Sequence, residues 1–410
     1  MNQLLNDRLI SLLLVGAATI CGRPAGGQES SAKLDAKSAR VIVTGHDFNL
    51  CDPFPGRGEF GWPGNVQRLD NGDLLMVHSW GYWHASFASP RLFEPDTRQR
   101  YQNRGWPVDF EAPTGGRAML TRSRDNGRTW SKPRTVYDYY LDDGAYGLIK
   151  CHDGTLCCFV NVQASWYGFD AAPERFKKDI GGLNSSQYAI RSTDEGQTWS
   201  EPIFLESPGK FYQRSHAQPL LLPNGSILWS TYCADARSEE ESKLFGAIHR
   251  SDDSGRSWRL VGTVRREENH VDEPAIALLK DGRLILVTRP DGGLFFSSDQ
   301  GRTWTESGRI VREGYFKAPW MCVLADGTVV CVATMGRLNA FVSRDSGKSW
   351  TDPIPLDLSS YGYPGGLLMK DESLLISYTE QGAAPSRLFV LRCRVNDDRT
   401  GIDLLPIGKP

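Results

Sequence analysis

The residues best able to do chemistry in this 410-residue chain stand where short apolar runs begin and end. Trp62, Tyr146, His216, Gln218, Glu273, Lys317, Trp320, Tyr361 and Tyr363 open such runs. His78, Trp80, Asn161, Tyr232, Arg289, Arg337 and Glu380 close them. Aromatic rings can stack on a sugar, while charged and amide groups can bond its hydroxyls or a carboxylate. No close His, Cys and Asp spacing matches a metal ligand set, so neither a catalytic metal nor a cofactor is expected. A formal net charge of −2 gives no electrostatic reason to expect nucleic acid as a partner.

Two repeats define the elements that must hold these residues. Ser-x-Asp-x-Gly-x-Ser/Thr-Trp occurs as SRDNGRTW (123–130), STDEGQTW (192–199), SSDQGRTW (297–304) and SRDSGKSW (343–350), and SDDSGRSW (251–258) is a fifth copy. The aspartate can accept hydrogen bonds from its own turn, the glycine takes a conformation other residues resist, and the tryptophan anchors the turn. Asp125, Asp194, Asp253, Asp299 and Asp345 are therefore assigned to the fold and not to catalysis. Alongside runs a second unit of apolar strand, Asp/Asn-Gly turn and apolar strand, such as VQRLDNGDLLMV and IALLKDGRLILV. Its sixth copy, GLLMKDESLLIS, has Glu372 in the glycine place. Six hairpins, five followed by the Asp motif, make six four-stranded antiparallel units, and radial repetition of such units is an all-β, six-bladed β-propeller. The strand RVIVTG (40–45) is expected to complete the last blade beside RLFVLRCRV (387–395).

In such a meander the Asp/Asn-Gly turns and the Asp motifs share one face. The opposite face collects the second-to-third loops and the crossovers between blades. The long insertions at about 79–117, 162–187 and 231–245 all rise there, over blades one to three, which is where binding sites usually form.

At the amino terminus, Arg8, the apolar run Leu9 to Ile20 and the small residues to Gly27 read as a secretory signal over residues 1–27. The run is short for a membrane-spanning helix, so a secreted or periplasmic protein without membrane insertion is expected. Residues 28–38 read as a disordered linker and 39–410 as a single domain. Asp326-Gly327 reads as a two-residue hairpin turn, which would set Cys322 opposite Cys331 at disulfide distance; two buried thiols are the alternative.

Over about residues 40–395 the chain resembles the sialidase (neuraminidase) superfamily of Asp-box propellers. HVDEPAIALLKDGRLILVTR (270–289) resembles the segment that carries a family glutamate and arginine, here Glu273 and Arg289. YGYPGGLLMKDESLLISYTE (361–380) resembles the segment with the nucleophile, here Tyr363, and GRLNAFVSRDSGKSW nominates Arg337 as a further family arginine. The resemblance implies a retaining exo-glycosidase in which Glu273 takes the proton of Tyr363 while Arg289 and Arg337 bind a sialic or uronic carboxylate. It places the acid catalyst in the first long loop, where Asp96 and Asp109 are both available. Trp62, His78, Tyr146, His216, Gln218, Lys317 and Glu380 would complete the binding site. One departure is plain: the family opens blade one with Arg-Ile-Pro, and this chain has Gly61-Trp62-Pro63. Two other functions follow from that departure, a propeller hydrolase of a neutral or uronic polysaccharide and a non-catalytic glycan-binding propeller. Glu273 and Arg289 could equally be a structural ion pair.

Overall fold

A strand pair whose alternate residues are apolar can bury its inner face only against another sheet, and six such pairs recur along the chain. The computed structural model describes residues 39–44, 59–81, 99, 117–137, 142–163, 177–236, 242–357, 362–380 and 387–407. Strand β1 (Arg40–Thr44) comes first. Blade one is β2 (Glu59–Arg68), β3 (Leu74–Gly81), β4 (Arg117–Ser123) and β5 (Arg134–Tyr137). Blade two is β6 (Asp142–Lys150), β7 (Leu156–Gln163), β8 (Ser185–Ser192) and β9 (Ile203–Phe204). Blade three has a divided inner strand, β10 (Tyr212–Arg214) and β11 (Leu220–Leu221), then β12 (Ile227–Ala234), β13 (Phe245–Ser251) and β14 (Arg259–Val264). Blade four is β15 (Asp272–Leu278), β16 (Leu284–Arg289), β17 (Gly293–Ser297) and β18 (Thr305–Arg309). Blade five is β19 (Lys317–Val323), β20 (Val329–Met335), β21 (Arg337–Ser343) and β22 (Ile354–Asp357). Blade six is β23 (Gly365–Leu368), β24 (Leu374–Glu380) and β25 (Arg387–Val395), with β1 and β26 (Ile402–Leu405) along its outer edge. Neighbouring blades touch around the ring, β23 against β2 included, so six four-stranded antiparallel sheets form a closed propeller.

Closure runs through β1, as the sequence suggested, with Val41 opposite Val390. That strand covers only Leu388–Leu391. The rest of β25 is covered by β26, with Arg392 opposite Leu405, a strand the sequence did not disclose. Arg40 Nη1 donates to Asp357 Oδ2 at 2.7 Å, the Tyr378 hydroxyl donates to the same oxygen, and the guanidinium lies 4.5 Å over the Phe389 ring. Asp357 ends blade five, so this one carboxylate joins blades five and six to the closing strand.

The hairpin turns differ from expectation by one residue. Leu324 N donates to Thr328 O at 2.9 Å and Gly327 N to Leu324 O at 2.9 Å. The loop therefore holds Ala325, Asp326 and Gly327, a type I turn followed by a left-handed glycine (φ +97°). The extra residue shifts the register: Cys322 faces Val330, and Cys331 faces Met321. The two cysteines are not partners, and both are free thiols. Glu372 takes the same left-handed place at φ +60° in blade six, and its carboxylate accepts Ala325 N at 3.1 Å from the next blade.

The five Asp motifs have one geometry. Asp299 Oδ1 accepts Thr303 N at 2.9 Å, Oδ2 accepts the Thr303 hydroxyl at 2.6 Å, and Ser297 Oγ both donates to Oδ1 and accepts Gly301 N at 2.9 Å. Asp125, Asp194, Asp253 and Asp345 repeat this pattern. Their carboxylates are consumed by their own turns. In blade six the corresponding turn uses two residues: Asn396 Oδ1 accepts Thr400 N at 3.0 Å and Gly401 N at 2.9 Å, and Asp398 Oδ1 accepts Thr400 N at 2.9 Å and its hydroxyl at 2.6 Å. Among the described residues no helix is long and apolar enough to cross a membrane.

Two histidines are sealed inside the sheets. Burial pushes His78 on β3 down to about 4 and His249 on β13 down to about 3. His249 Nε2 accepts Gln213 Nε2 at 2.7 Å. Both folded-state values lie below that of the unfolded chain, which takes up a proton near pH 6.5 while the fold does not. Each histidine's contribution is therefore complete above that pH and is lost on acidification towards the folded value, at about 1.4 kcal/mol per pH unit. Urea unfolding between pH 6.5 and 5, above the range where carboxylates titrate, should show this slope. His249→Asn should remove about half of it; an unaltered slope would mean that His249 is protonated in the fold.

Candidate active site

The inner strands of blades one to five each break their ladders. Register shifts fall between Pro63 and Val66, Ala145 and Gly147, Asp272 and Ala275, and Lys317 and Trp320. In blade three the ladder is interrupted outright between Arg214 and Leu220. Proline is the recurrent cause, because Pro63, Pro219, Pro274 and Pro319 have no N–H to donate. A bulge turns side chains that would face neighbouring blades toward the mouth of the channel.

Glu273, Ala318 and Tyr363 each stand just before a proline, and all three are left-handed, at φ +47°, +48° and +61°. Such conformations cost about 1–2 kcal/mol apiece in a residue with a Cβ. The three strained residues are the ones that meet. The Tyr363 hydroxyl donates to Glu273 Oε1 at 2.8 Å, and Ala318 N donates to Glu273 Oε2 at 2.8 Å. Arg289 Nη1 donates to Oε1 at 2.9 Å. His216 Nδ1 lies 3.6 Å from that oxygen and 3.2 Å from the Tyr232 hydroxyl. The His216 ring meets Tyr146 and Tyr363 edge-on, with centroids 5.1 and 5.2 Å away, and stacks on Tyr232.

The electrostatics follow from this packing. Glu273 is 1% exposed, and burial alone would raise its pKa. The charges of His216 and Arg289, with the hydrogen bonds from Tyr363 and Ala318, outweigh that and hold the carboxyl below its ordinary value. Burial works against the Arg289 cation, but Glu273 and Asp272 raise its pKa further. Burial and the charge of Arg289 lower Lys317. A carboxylate kept ionised against a tyrosine hydroxyl can accept that proton as the oxygen attacks an electrophile.

Of the sequence candidates, Glu273, Tyr363, Arg289, His216 and Tyr146 come together in this cluster. Lys317 stands at its rim, 5.7 Å over the Tyr315 ring. Gln218 lies deeper, its Oε1 accepting Trp320 Nε1 at 2.6 Å across the channel. Arg337 opens β21, exposed, on the same face. His78 is wholly buried and neutral, which removes it from the binding set. Asp96, Asp109 and Tyr361 lie outside the described residues, as do the side chains of Trp62, Trp80 and Glu380. Three participants escaped the sequence. Asp272 Oδ2 sits 3.3 Å from Arg289 Nε, the Tyr315 hydroxyl accepts Arg289 Nε at 2.8 Å, and Ala318 acts through its backbone. Strain before proline gives no signal in composition, although the shared Glu-Pro, Ala-Pro and Tyr-Pro pairs mark the positions.

Arg289→Met would leave the buried Glu273 without its full-time cation. Urea unfolding at pH 7 should show a loss of about 3 kcal/mol or more, most of it recovered in Arg289→Met/Glu273→Gln. No recovery would mean that Arg289 stabilises the blade through something other than this carboxylate.

The family of BNR repeat-like domains matches residues 148–376, more than half of the chain. A sialidase of Bacteroides fragilis (strain YCH46) is 24% identical over 193 residues, a match covering 42% of this chain and 34% of that protein, so only about a third of the relative's length is spanned. Among solved structures, the Hadza microbial sialidase Hz136 aligns with a TM-score of 0.58 at 17% identity, covering 82% of this chain and 65% of that one. A Penicillium chrysogenum α-L-arabinanase complexed with arabinobiose aligns with a TM-score of 0.56 at 16% identity, covering 86% and 97%.

Proposed function

Starting from a chain that belongs to the BNR repeat-like family and has a glycoside hydrolase-like propeller fold, we propose that it is a retaining exo-glycosidase acting on an acidic sugar at a non-reducing glycan end. The observation that carries this is the 2.8 Å hydrogen bond from Tyr363 to the buried, ionised Glu273. In the first half-reaction Tyr363 Oη attacks the anomeric carbon and its proton passes to Glu273 Oε1. The bond to the leaving oxygen breaks, and that oxygen takes a proton from the acid in the first long loop, Asp96 or Asp109. In the second half water attacks the glycosyl-tyrosine carbon, gives its proton to the loop carboxylate, and Glu273 returns its proton to the phenolate. A neutral phenol approaches an anionic sugar without the repulsion that a carboxylate nucleophile would meet. Arg337, exposed on the same face, and Arg289 are the cations for the substrate carboxylate. Residues 1–27 act in this proposal as an export signal, which puts the enzyme outside the cytoplasm.

A second reading, hydrolysis of a neutral or uronic polysaccharide, draws on two facts. Gly61-Trp62-Pro63 offers no arginine, and Arg289 already faces Glu273 and Asp272. The likeness to the arabinanase fold is compatible with it.

A panel of aryl glycosides, α-sialosides and uronides included, separates the two. Release from a sialoside that disappears in Tyr363→Phe, with substrate binding retained, is the expected result. Glu273→Gln should lower kcat by about 10²–10⁴-fold. Release from neutral glycosides alone would transfer the case to the second reading, and release from uronides alone would keep an acidic sugar but not a sialic acid. Silence of the folded protein across the panel would overturn both as small-substrate glycosidases.

A further inference from the structure

The outward edge of Arg289 is already covered. Its Nη1 serves Glu273, and the Nε–Nη2 edge, the fork that matches a carboxylate in a bidentate pair, carries the hydroxyl of Tyr315, with Asp272 Oδ2 on the other side of Nε at 3.3 Å. Both Nε and Nη2 donate to that one oxygen, Nε at 2.8 Å. Tyr315 is 51% exposed, in the crossover between blades four and five. Its neighbours set it up to move as a side chain alone. Phe316 is fully buried and its N donates to Pro290 O at 2.7 Å, while Arg312, Glu313 and Gly314 are exposed. The ring is also flanked by cations, with the Arg289 guanidinium carbon 5.0 Å and Lys317 Nζ 5.7 Å from its centroid.

We propose that Tyr315 is a displaceable cap on the anion-binding edge of Arg289, which a substrate carboxylate replaces as it enters. A neutral phenol oxygen satisfies the fork in the free protein, and an anionic oxygen pair satisfies it better. When the ring turns outward, the guanidinium of Arg289 and the Lys317 ammonium, which both flank the ring, are left facing the space that it vacates. A sugar without a carboxylate has nothing to exchange for the phenol, so the cap favours acidic over neutral sugars. Tyr315 is thus a specificity-determining residue. This inference rests on the acidic-sugar reading for its purpose, although the cap itself can be tested without any sugar.

The probe is acetate, a bare carboxylate, titrated by NMR into the full chain, wild type against Tyr315→Phe, with Tyr315→Ala as a second variant. Removing the hydroxyl takes the phenol off Nη2 and off the outward side of Nε, so acetate should bind at least about fivefold more tightly to both variants. Arg289→Lys added to Tyr315→Phe should abolish that gain. In parallel, KM for any acidic aryl glycoside turned over should fall in Tyr315→Phe, with KM for neutral glycosides unchanged. Equal or weaker acetate binding in Tyr315→Phe would overturn the cap and make Tyr315 a direct ligand contact or a bystander. Tighter acetate with no acidic sugar turned over would leave the cap standing and remove the substrate reading instead.

Discussion

A ring of sheets depends on one join. Every blade but the last finds its neighbours by following the chain, whereas blade six must be held to blade one by a strand from far away in sequence. Here the join is the pairing of β1 with β25, fastened where Arg40 and Tyr378 converge on Asp357. An open sheet would present an unpaired edge, and the inner strands would have no reason to share a centre. With the ring shut, residues as far apart in sequence as His216 and Tyr363 meet at one carboxylate.

Glu273 is that carboxylate, and it shows what the closed ring makes possible. Blade four supplies the glutamate and Arg289, blade five the N–H of Ala318, blade six the hydroxyl of Tyr363, and blade three the imidazole of His216. Three of these residues hold left-handed backbones that none would adopt alone. The strain persists because the mutual hydrogen bonds and the surrounding sheets over-determine it. The opposite face is built from carboxylates too, yet there each aspartate of the five Asp motifs is closed on its own turn. Identical chemistry is structural on one side of the disc and available on the other, and what separates them is whether the hydrogen-bond partners are local.

This contrast also explains what the sequence disclosed. The Asp motifs are local, so five copies of Ser-x-Asp-x-Gly-x-Ser/Thr-Trp announced both turn and fold. Glu273, Tyr363 and Arg289 were visible because they open or close apolar runs and sit in segments resembling a known superfamily. The hairpin register was misjudged because an Asp/Asn-Gly pair suits a two-residue turn as well as the last two places of a three-residue one, and only backbone geometry separates them. Strand β26 stayed hidden because the turn before it, NDDRTG (396–401), lacks the serine, the glycine spacing and the tryptophan of the Asp motif. Ala318 contributes a backbone group, about which its side chain says nothing. Tyr315 lies in a crossover with no periodicity, and the sequence paired Arg289 with Glu273 or a substrate but not with Tyr315.

The outer edge of blade six is shared between the first described strand and the last, each covering about half of β25. During synthesis this imposes an order of events. The hairpins of blades one to five are local and can form as the chain emerges, while β1 has to wait, unpaired, until β25 exists to receive it. The wait is inexpensive in loop-closure entropy, which grows only with the logarithm of the intervening length. It is long in time, because the join is the most non-local strand pairing among the described residues. The last half-turn of β25 then finds its partner within a few residues, so β26 can zip down at once and leave β25 with only one place where β1 fits. The Glu273 cluster between blades three and six would therefore be assembled last, and a chain cut off before β25 would carry most of the strands of the fold but an open ring.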